Sequence, residues 1–378
     1  MPHLAIYRKY RPATFEDLLG QEMIVKILKE EAKQDRLSHA YIFSGPRGTG
    51  KTTSARLIAK IANCEKRATD AAFREKGEPC NSCNACTMID EGKALDVIEI
   101  DGASNRGVDE IRNLKESIRT SPSASRFKVY IIDEAHMLTK DAWNALLKTL
   151  EEPPRYVIII LATTEIEKVP ATIASRAQKF YFKLVPREKI VQKLAKIAKE
   201  EDIKISPEAL DLIADYAEGS FRDSESLLDQ MVSFGDKTVD VEEIEKAVGK
   251  ISFDKIDAFA GILVKGDISG ALAFVAEVAD GGFNLSQFLR DVIQHLRRIL
   301  VLRVSPQMEE VFKKEMMAEH LAKLVTQSKN LKPAHIALLK TLITAYGEMR
   351  YSQFPRIPLE VAIVEGLSTR GTGEAPRG

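Results

Sequence analysis

Residues 45–52 read Gly45-Pro46-Arg47-Gly48-Thr49-Gly50-Lys51-Thr52, which fits the phosphate-loop pattern G-x-x-x-x-G-K-[ST]. The run before it, Ala40-Tyr41-Ile42-Phe43-Ser44, is short and apolar and reads as a buried strand. After it, Thr53 to Ala62 places Leu57, Ile58 and Ile61 at helical spacing. Strand, glycine loop and helix together are the context the pattern requires. Glycines let the backbone close around an anion with its N–H groups turned inward, and the helix N-terminus adds partial positive charge. Lys51 would reach the β- and γ-phosphates, and the Thr52 hydroxyl would ligate magnesium. A glycine turn that binds nothing is the bland alternative, and the complete eight-residue pattern in this context argues against it.

A second strand-like run, Lys128 to Asp133, ends in the carboxylates Asp133 and Glu134. Alone, that is common as an acidic helix cap. Coupled to a phosphate loop, it reads as the acidic half of a nucleotide site. Asp133 would hold Mg2+ through water, and Glu134 would polarise the attacking water as general base, because phosphoryl transfer asks a protein mainly for position and charge. Val157 to Thr163 is fully apolar, as in a sheet covered on both faces, and ends at Thr163-Thr164, either of which could read the γ-phosphate or its water. Ala171–Ala177 reads as a short helix carrying a lone arginine, Arg176. With Asp96–Asp101 and Lys179–Phe182 there are five apolar strands interleaved with helices, hence an α/β domain with a parallel sheet. Ligands of such sheets lie at the carboxyl ends of the strands, where these residues fall. A helix is expected from Val108 or Asp109 to about Ile118, and another over Gln21–Lys33 with Ile24, Ile27, Leu28 and Ala32 on its buried stripe.

A chain of 378 residues exceeds one ordinary core. The pattern divides it into a nucleotide-binding domain over 1–183 with an insert at 64–86, a lid over 184–249, a helical domain over 250–367, and a Gly/Pro/polar tail, 368–378, expected to be disordered. From Pro186 on, only helices are expected. Ser206-Pro207 is an N-cap followed by proline at the first helical position, and Asp240 with Glu243 is a capping box. Arg222 stands near the start of a helix from Phe221, the wrong sign for the helix dipole, so an outside anion partner is expected. The helices beyond residue 250 carry no catalytic constellation; their aliphatic periodicity suits a bundle that packs on itself and on copies of itself.

The 55 basic and 55 acidic residues balance, so any nucleic-acid surface must be a local patch. No apolar run reaches the length of a membrane span, and Met1–Ile6 lacks the features of a secretory signal. A cytoplasmic location follows as an expectation, and there cysteines are reduced thiols or metal ligands. The four cysteines fall as Cys64 and then Cys80-x-x-Cys83-x-x-Cys86, in a stretch that reads as loop. Four soft ligands suit a closed, structural zinc site without a part in activity. Lys66, Arg67 and Lys76 lie in sequence where they could offset its charge. Iron–sulfur patterns continue with x₃-C-P after the third cysteine, whereas Thr87-Met88-Ile89-Asp90 follows here. Four independent core thiols remain as the non-metal alternative, disfavoured by the tight spacing.

Taken together, Tyr7–Pro12, Gly45–Thr52, Asp133-Glu134-Ala135-His136, Ser175-Arg176 and Gly219-Ser220-Phe221-Arg222-Asp223 resemble an AAA+ ATPase of the clamp-loader clade. The four-cysteine insert and Asn144–Pro154 narrow the resemblance to the tau/gamma family of bacterial DNA polymerase III, over nearly the whole chain. The resemblance implies ATP, Mg2+ and Zn2+ as cofactors. It implies delta and delta-prime subunits, other copies of the chain, the ring-shaped sliding clamp (the beta subunit) and primed DNA as partners, with no membrane. It matches Arg176 to a finger acting on ATP of the neighbouring subunit, Arg222 to a lid sensor, Thr163 or Thr164 to the first sensor, and the arm with Tyr7, Arg11 and Pro12 to the segment packed on adenine. Asn105 and Arg106 are placed as DNA contacts. Two departures stand out: Ala177 where the family usually has cysteine, and a longer gap between Cys64 and Cys80. The long C-terminal extension of the family's tau form does not follow in these 378 residues. A non-hydrolysing scaffold subunit would have no need of Lys51, Thr52 and Glu134, and a branch-migration helicase would leave the cysteine insert and the C-terminal helices unexplained.

Overall fold

A computed structural model describes residues 5–104, 116–233, 238–249, 251–313, 316–331, 334–349 and 351–368. The chain forms two compact units, one of residues 1–194 with 217–229 and the other of 195–216 with 230–378.

The first unit is built on five parallel strands: β1 (Ala40–Ser44), β2 (Val97–Asp101), β3 (Lys128–Asp133), β4 (Val157–Thr163) and β5 (Gln178–Tyr181). Their order is β2-β3-β4-β1-β5, and every pairing is parallel. β1 and β4 are buried along their whole length, the continuous apolar pattern that two covered faces require. One face packs the Lys51–Asn63 and Glu22–Lys33 helices through Leu57, Ile58, Ile24 and Leu28. The other packs the Lys140–Glu151 helix through Trp143, Leu146 and Leu150. The register sets Ser44 beside Thr163 and Asp101 beside Asp133, so the phosphate loop and both acidic strand ends emerge at one edge.

Several expectations need correction. β2 is an edge strand with Glu99 and Asp101 exposed, not a fully apolar one. Ile27 is 38% exposed and lies off the buried stripe, where a period of 3.6 residues carries it past the face that packs. The cysteine insert is not loop-like but contains the helices Glu65–Thr69, Ala71–Arg74 and Asn84–Asp90. The expected helix near 108–118 and the residues Asn105 and Arg106 lie outside the described residues, apart from a helical turn at 116–118. The tail beyond 368 also lies outside them.

In the second unit Ser206 caps the Pro207–Tyr216 helix by accepting the Ala209 N–H, as the Ser-Pro signal implies. Asp240 precedes the Val241–Val248 helix without a side-chain cap bond, so the capping box does not form. The segment is also not purely helical. Lys204–Ile205 and Thr238–Val239 pair as a two-stranded parallel ribbon, β6 and β7. Helices from Phe253 to Ser368 then bury an aliphatic and aromatic core around Phe259, Phe288, Leu324, Leu342 and Ile363.

Candidate nucleotide site and four-cysteine cluster

Glycine is required where the loop leaves β1. Gly45 has φ of 144°, and a Cβ there would lie 2.3 Å from the Phe182 carbonyl oxygen. Gly48, at φ of 72°, sits so close to Ser220 that a Cβ would lie 1.8 Å from its Oγ, while Phe221 N–H donates to the Gly48 carbonyl at 3.2 Å. The loop is thus seated against the start of the Phe221–Ser233 helix. The Lys51–Asn63 helix begins after Gly50 with no side-chain cap and no acidic residue in its first turn, leaving its first N–H groups for an anion.

Lys51 is 6% exposed, and its ammonium donates to the carbonyls of Gly45 (2.9 Å) and Pro46 (2.8 Å). Burial lowers its pKa; the Asp133 and Glu134 carboxylates oppose that, and Arg47 adds to it. Thr49 Oγ1 braces the loop on the Pro46 carbonyl at 2.8 Å. Thr52 Oγ1 donates to Asp133 Oδ2 at 2.7 Å, joining the two groups suited to Mg2+. Glu134 adopts a left-handed backbone (φ 47°, ψ 44°), a conformation that costs a non-glycine residue about 1–3 kcal/mol and marks functional turns. Its Oε2 is 3.5 Å from Thr164 Oγ1 and 3.5 Å from His136 Nδ1.

Of the two sensor threonines, Thr163 is fully buried and its hydroxyl is engaged internally. It accepts the Glu165 N–H at 3.0 Å and lies 3.1 Å from His136 Nδ1. Thr164 is the one that faces Glu134. His136, which sequence reasoning left without a role, bridges to Glu165 Oε1 at 3.3 Å and so ties the Glu134 turn to the end of β4.

A cavity of about 360 Å³ opens over the loop. Arg47 to Thr53, Asp101, Asp133 and Glu134 form its polar floor. Tyr7, Arg11, Pro12, Asp17, Leu18 and Leu19 form one wall, and Lys193, Phe221, Arg222 and Glu225 the rest. The arm begins with a helical turn, Ile6–Lys9. Arg222 lies 5.5 Å over the Tyr7 ring. Arg11 has its pKa lowered by burial and by Arg56 and other nearby arginines, with Glu99 opposing. Lys193 pairs with the buried Glu225 at 2.6 Å. Burial raises the Glu225 pKa, and Lys193 and Arg11 pull it back. Leu18, Leu19, Asp101, Lys193 and Glu225 escape the sequence because no local motif marks them; the last two look like surface charges on amphipathic helices. Thr163, Thr164 and Arg176 are not among the lining residues. Arg176 is fastened away from the cavity by Thr172 O (2.6 Å) and Glu151 Oε1 (2.8 Å).

The same helix that begins at the phosphate loop ends at Cys64. The Sγ atoms of Cys64, Cys80, Cys83 and Cys86 all lie within 4.8 Å of one another. A tetrahedron with Zn–S bonds near 2.3 Å needs sulfurs about 3.8 Å apart, so the donor set fits zinc. Cys80 N–H donates to Cys64 Sγ (3.4 Å) and Cys83 N–H to Cys80 Sγ (3.3 Å), bonds that suit thiolates. The Cys86 thiol and the N–H groups of Arg67 and Cys80 hold Cys64 below the ordinary thiol range, against the burial that raises it. Of the basic residues expected to balance the site, Arg67 is buried beside Cys64, whereas Lys66 and Lys76 lie over the Phe73 ring.

Three family models match in succession: DNA polymerase III, delta subunit, over 20–186; the clamp loader subunit ATPase lid domain over 189–237; and DNA polymerase III subunits gamma and tau domain III over 239–369. DNA polymerase III subunit tau of Bacillus subtilis is 43% identical over 98% of this chain and 64% of its own length, so the chain spans under two thirds of that relative. DNA polymerase III subunit gamma of Buchnera aphidicola (from Acyrthosiphon pisum) is 35% identical over 97% of this chain and 99% of its own. The RuvB Holliday junction branch migration motor of Thermotoga maritima overlaps 68% of this chain and 79% of its own, at 17% identity and a TM-score of only 0.45. With a phosphate-loop parallel sheet, a lid and a C-terminal helical domain in that order, the chain belongs to the gamma/tau family of DNA polymerase III clamp-loader subunits.

Proposed function

We propose that this chain is an ATP-hydrolysing motor subunit of a bacterial clamp loader. The observation that carries the reading is the joined pair Thr52–Asp133 beside Lys51 and Glu134, in one cavity with Arg222. Thr52 and Asp133 would hold Mg2+, which when bound neutralises phosphate charge. Lys51 and the loop amides orient the phosphates. Glu134, aimed by Thr164 and His136, takes a proton from the attacking water. Arg222 reaches the phosphates from the lid side. Arg176 points away from its own chain's cavity, which suits a finger that completes the site of a neighbouring copy.

In this reading, delta, delta-prime and further copies assemble through the C-terminal domain. ATP binding opens the sliding clamp, and hydrolysis triggered by primed DNA releases it closed on DNA in the cytoplasm. Residues 1–183, 184–249 and 250–367 serve as motor, lid and collar.

The test is ATP hydrolysis by this chain mixed with delta, delta-prime, sliding clamp and primed DNA. Stimulation by clamp with DNA is expected, and Arg176→Ala should lower the assembled rate on the order of 10³-fold while binding of ATP to the isolated chain persists. A rate indifferent to clamp and DNA would keep the ATPase and reject the clamp loader. The cysteine cluster is read as one structural zinc per chain. Metal analysis after chelator-free purification checks this, and finding none would refute it.

A further inference from the structure

We propose that Glu78, a residue of the cysteine insert, is a positioning residue for the nucleotide base. The proposal rests on the cavity being a nucleotide site, as argued above. It gives the insert a part in ligand affinity that a purely structural module would lack.

The insert grips the N-terminal segment at three points. The Arg67 guanidinium, 3% exposed, donates to the Ala32 carbonyl at 2.6 Å. Gly77, at φ of 67°, approaches so closely that a Cβ would lie 2.7 Å from the Lys29 carbonyl oxygen. Glu78, 9% exposed, accepts the N–H groups of Phe15 (2.8 Å) and Glu16 (3.2 Å) and pairs with Lys29 at 3.0 Å. Those two amides open a tight turn closed by Leu18 N–H on the Phe15 carbonyl (3.1 Å) and braced by Thr14 on Asp17. A turn's first N–H groups have no partner within it, and a carboxylate can meet two of them together with an ammonium.

What the turn presents is functional. Phe15 anchors it in the core at 1% exposure, and Leu18 and Leu19 join Tyr7, Pro12 and Phe221 as apolar lining of the cavity. Leu18 also packs against the phosphate loop, its Cδ2 3.3 Å from where a Gly50 Cβ would stand. An apolar wall suits a purine, and the charged floor suits phosphates. At its other end Glu78 is two residues from Cys80, whose N–H is fixed on Cys64 Sγ. The chain of contacts runs from the thiol cluster through Glu78 to the wall that would hold the base.

The test compares three ligands on the full chain with Mg2+: ATP, ADP and inorganic tripolyphosphate, each titrated calorimetrically. Wild-type binding of ATP and its loss in Lys51→Ala examine the nucleotide reading separately. Glu78→Ala is expected to raise Kd for ATP and ADP about tenfold and to leave tripolyphosphate within about twofold. Glu78→Gln, which keeps the volume and one acceptor for Phe15 N–H, is expected to raise the ATP Kd about threefold, and it carries the test if the alanine variant does not fold. Unchanged ATP affinity, or equal weakening for ATP and tripolyphosphate, would overturn the proposal.

Discussion

The nucleotide cavity leaves several cations open, whereas the C-terminal helical core is built of apolar layers. Around the cavity Lys193 and Glu225 pair at 2.6 Å, but Arg11, Arg47 and Arg222 carry no ion pair among the described residues, and Glu134 holds a left-handed backbone. In the second unit the buried Glu245 carboxylate is answered. Glu245, 1% exposed, accepts Ser252 N–H (2.7 Å) and the Lys255 ammonium (2.7 Å). The helical core beyond it is largely apolar contact, with the Phe259 and Phe288 rings 5.0 Å apart. Unmatched cations and strained turns cost stability and are kept where a polyanion binds; packed apolar layers supply stability and carry no chemistry. One region is built to receive, the other to hold.

That contrast can be broken at either end. The largest effect is expected from Glu134→Gln, which removes the general base but keeps the turn. Hydrolysis should fall about 10²- to 10⁴-fold with nucleotide Kd nearly unchanged, and a variant that lost binding instead would assign Glu134 a binding role. Phe259→Ala, fully buried in the helical core, should lower that unit's unfolding free energy by about 3–5 kcal/mol in a denaturant titration without altering nucleotide affinity. A matching loss of affinity would show that the two regions are not separable. The smallest effect is expected from Gly48→Ala, where the new methyl meets Ser220. Nucleotide Kd should rise about tenfold, and adding Ser220→Gly should recover part of that, because the clash goes while the strain at positive φ stays.

Much of the site is legible in the chain because its groups are close in sequence. Gly45 to Thr52 wrap an anion through their own backbone, and Asp133-Glu134 at a strand end need only a parallel sheet to arrive beside them. Cys80, Cys83 and Cys86 have the spacing of ligands before any fold is known. The errors fall where a long-range contact overrides a local cue. Asp240 has the composition of a capping box, yet its helix starts uncapped next to a strand paired with Lys204–Ile205. The insert, rich in turn residues, contains three helices, and its four thiols converge.

What the sequence determined by itself was the chemistry available: a phosphate cradle, two carboxylates, candidate sensors and a four-thiol set. Only the tertiary structure decided which threonine hydroxyl faces Glu134, that Lys193, Glu225 and Leu18 reach the cavity, that Arg176 turns away from it, and that Glu78 braces its wall. The physical reason is reach. Backbone conformation and ligand spacing are set within a few residues, whereas burial and partnering of a side chain depend on elements that meet only when the core packs.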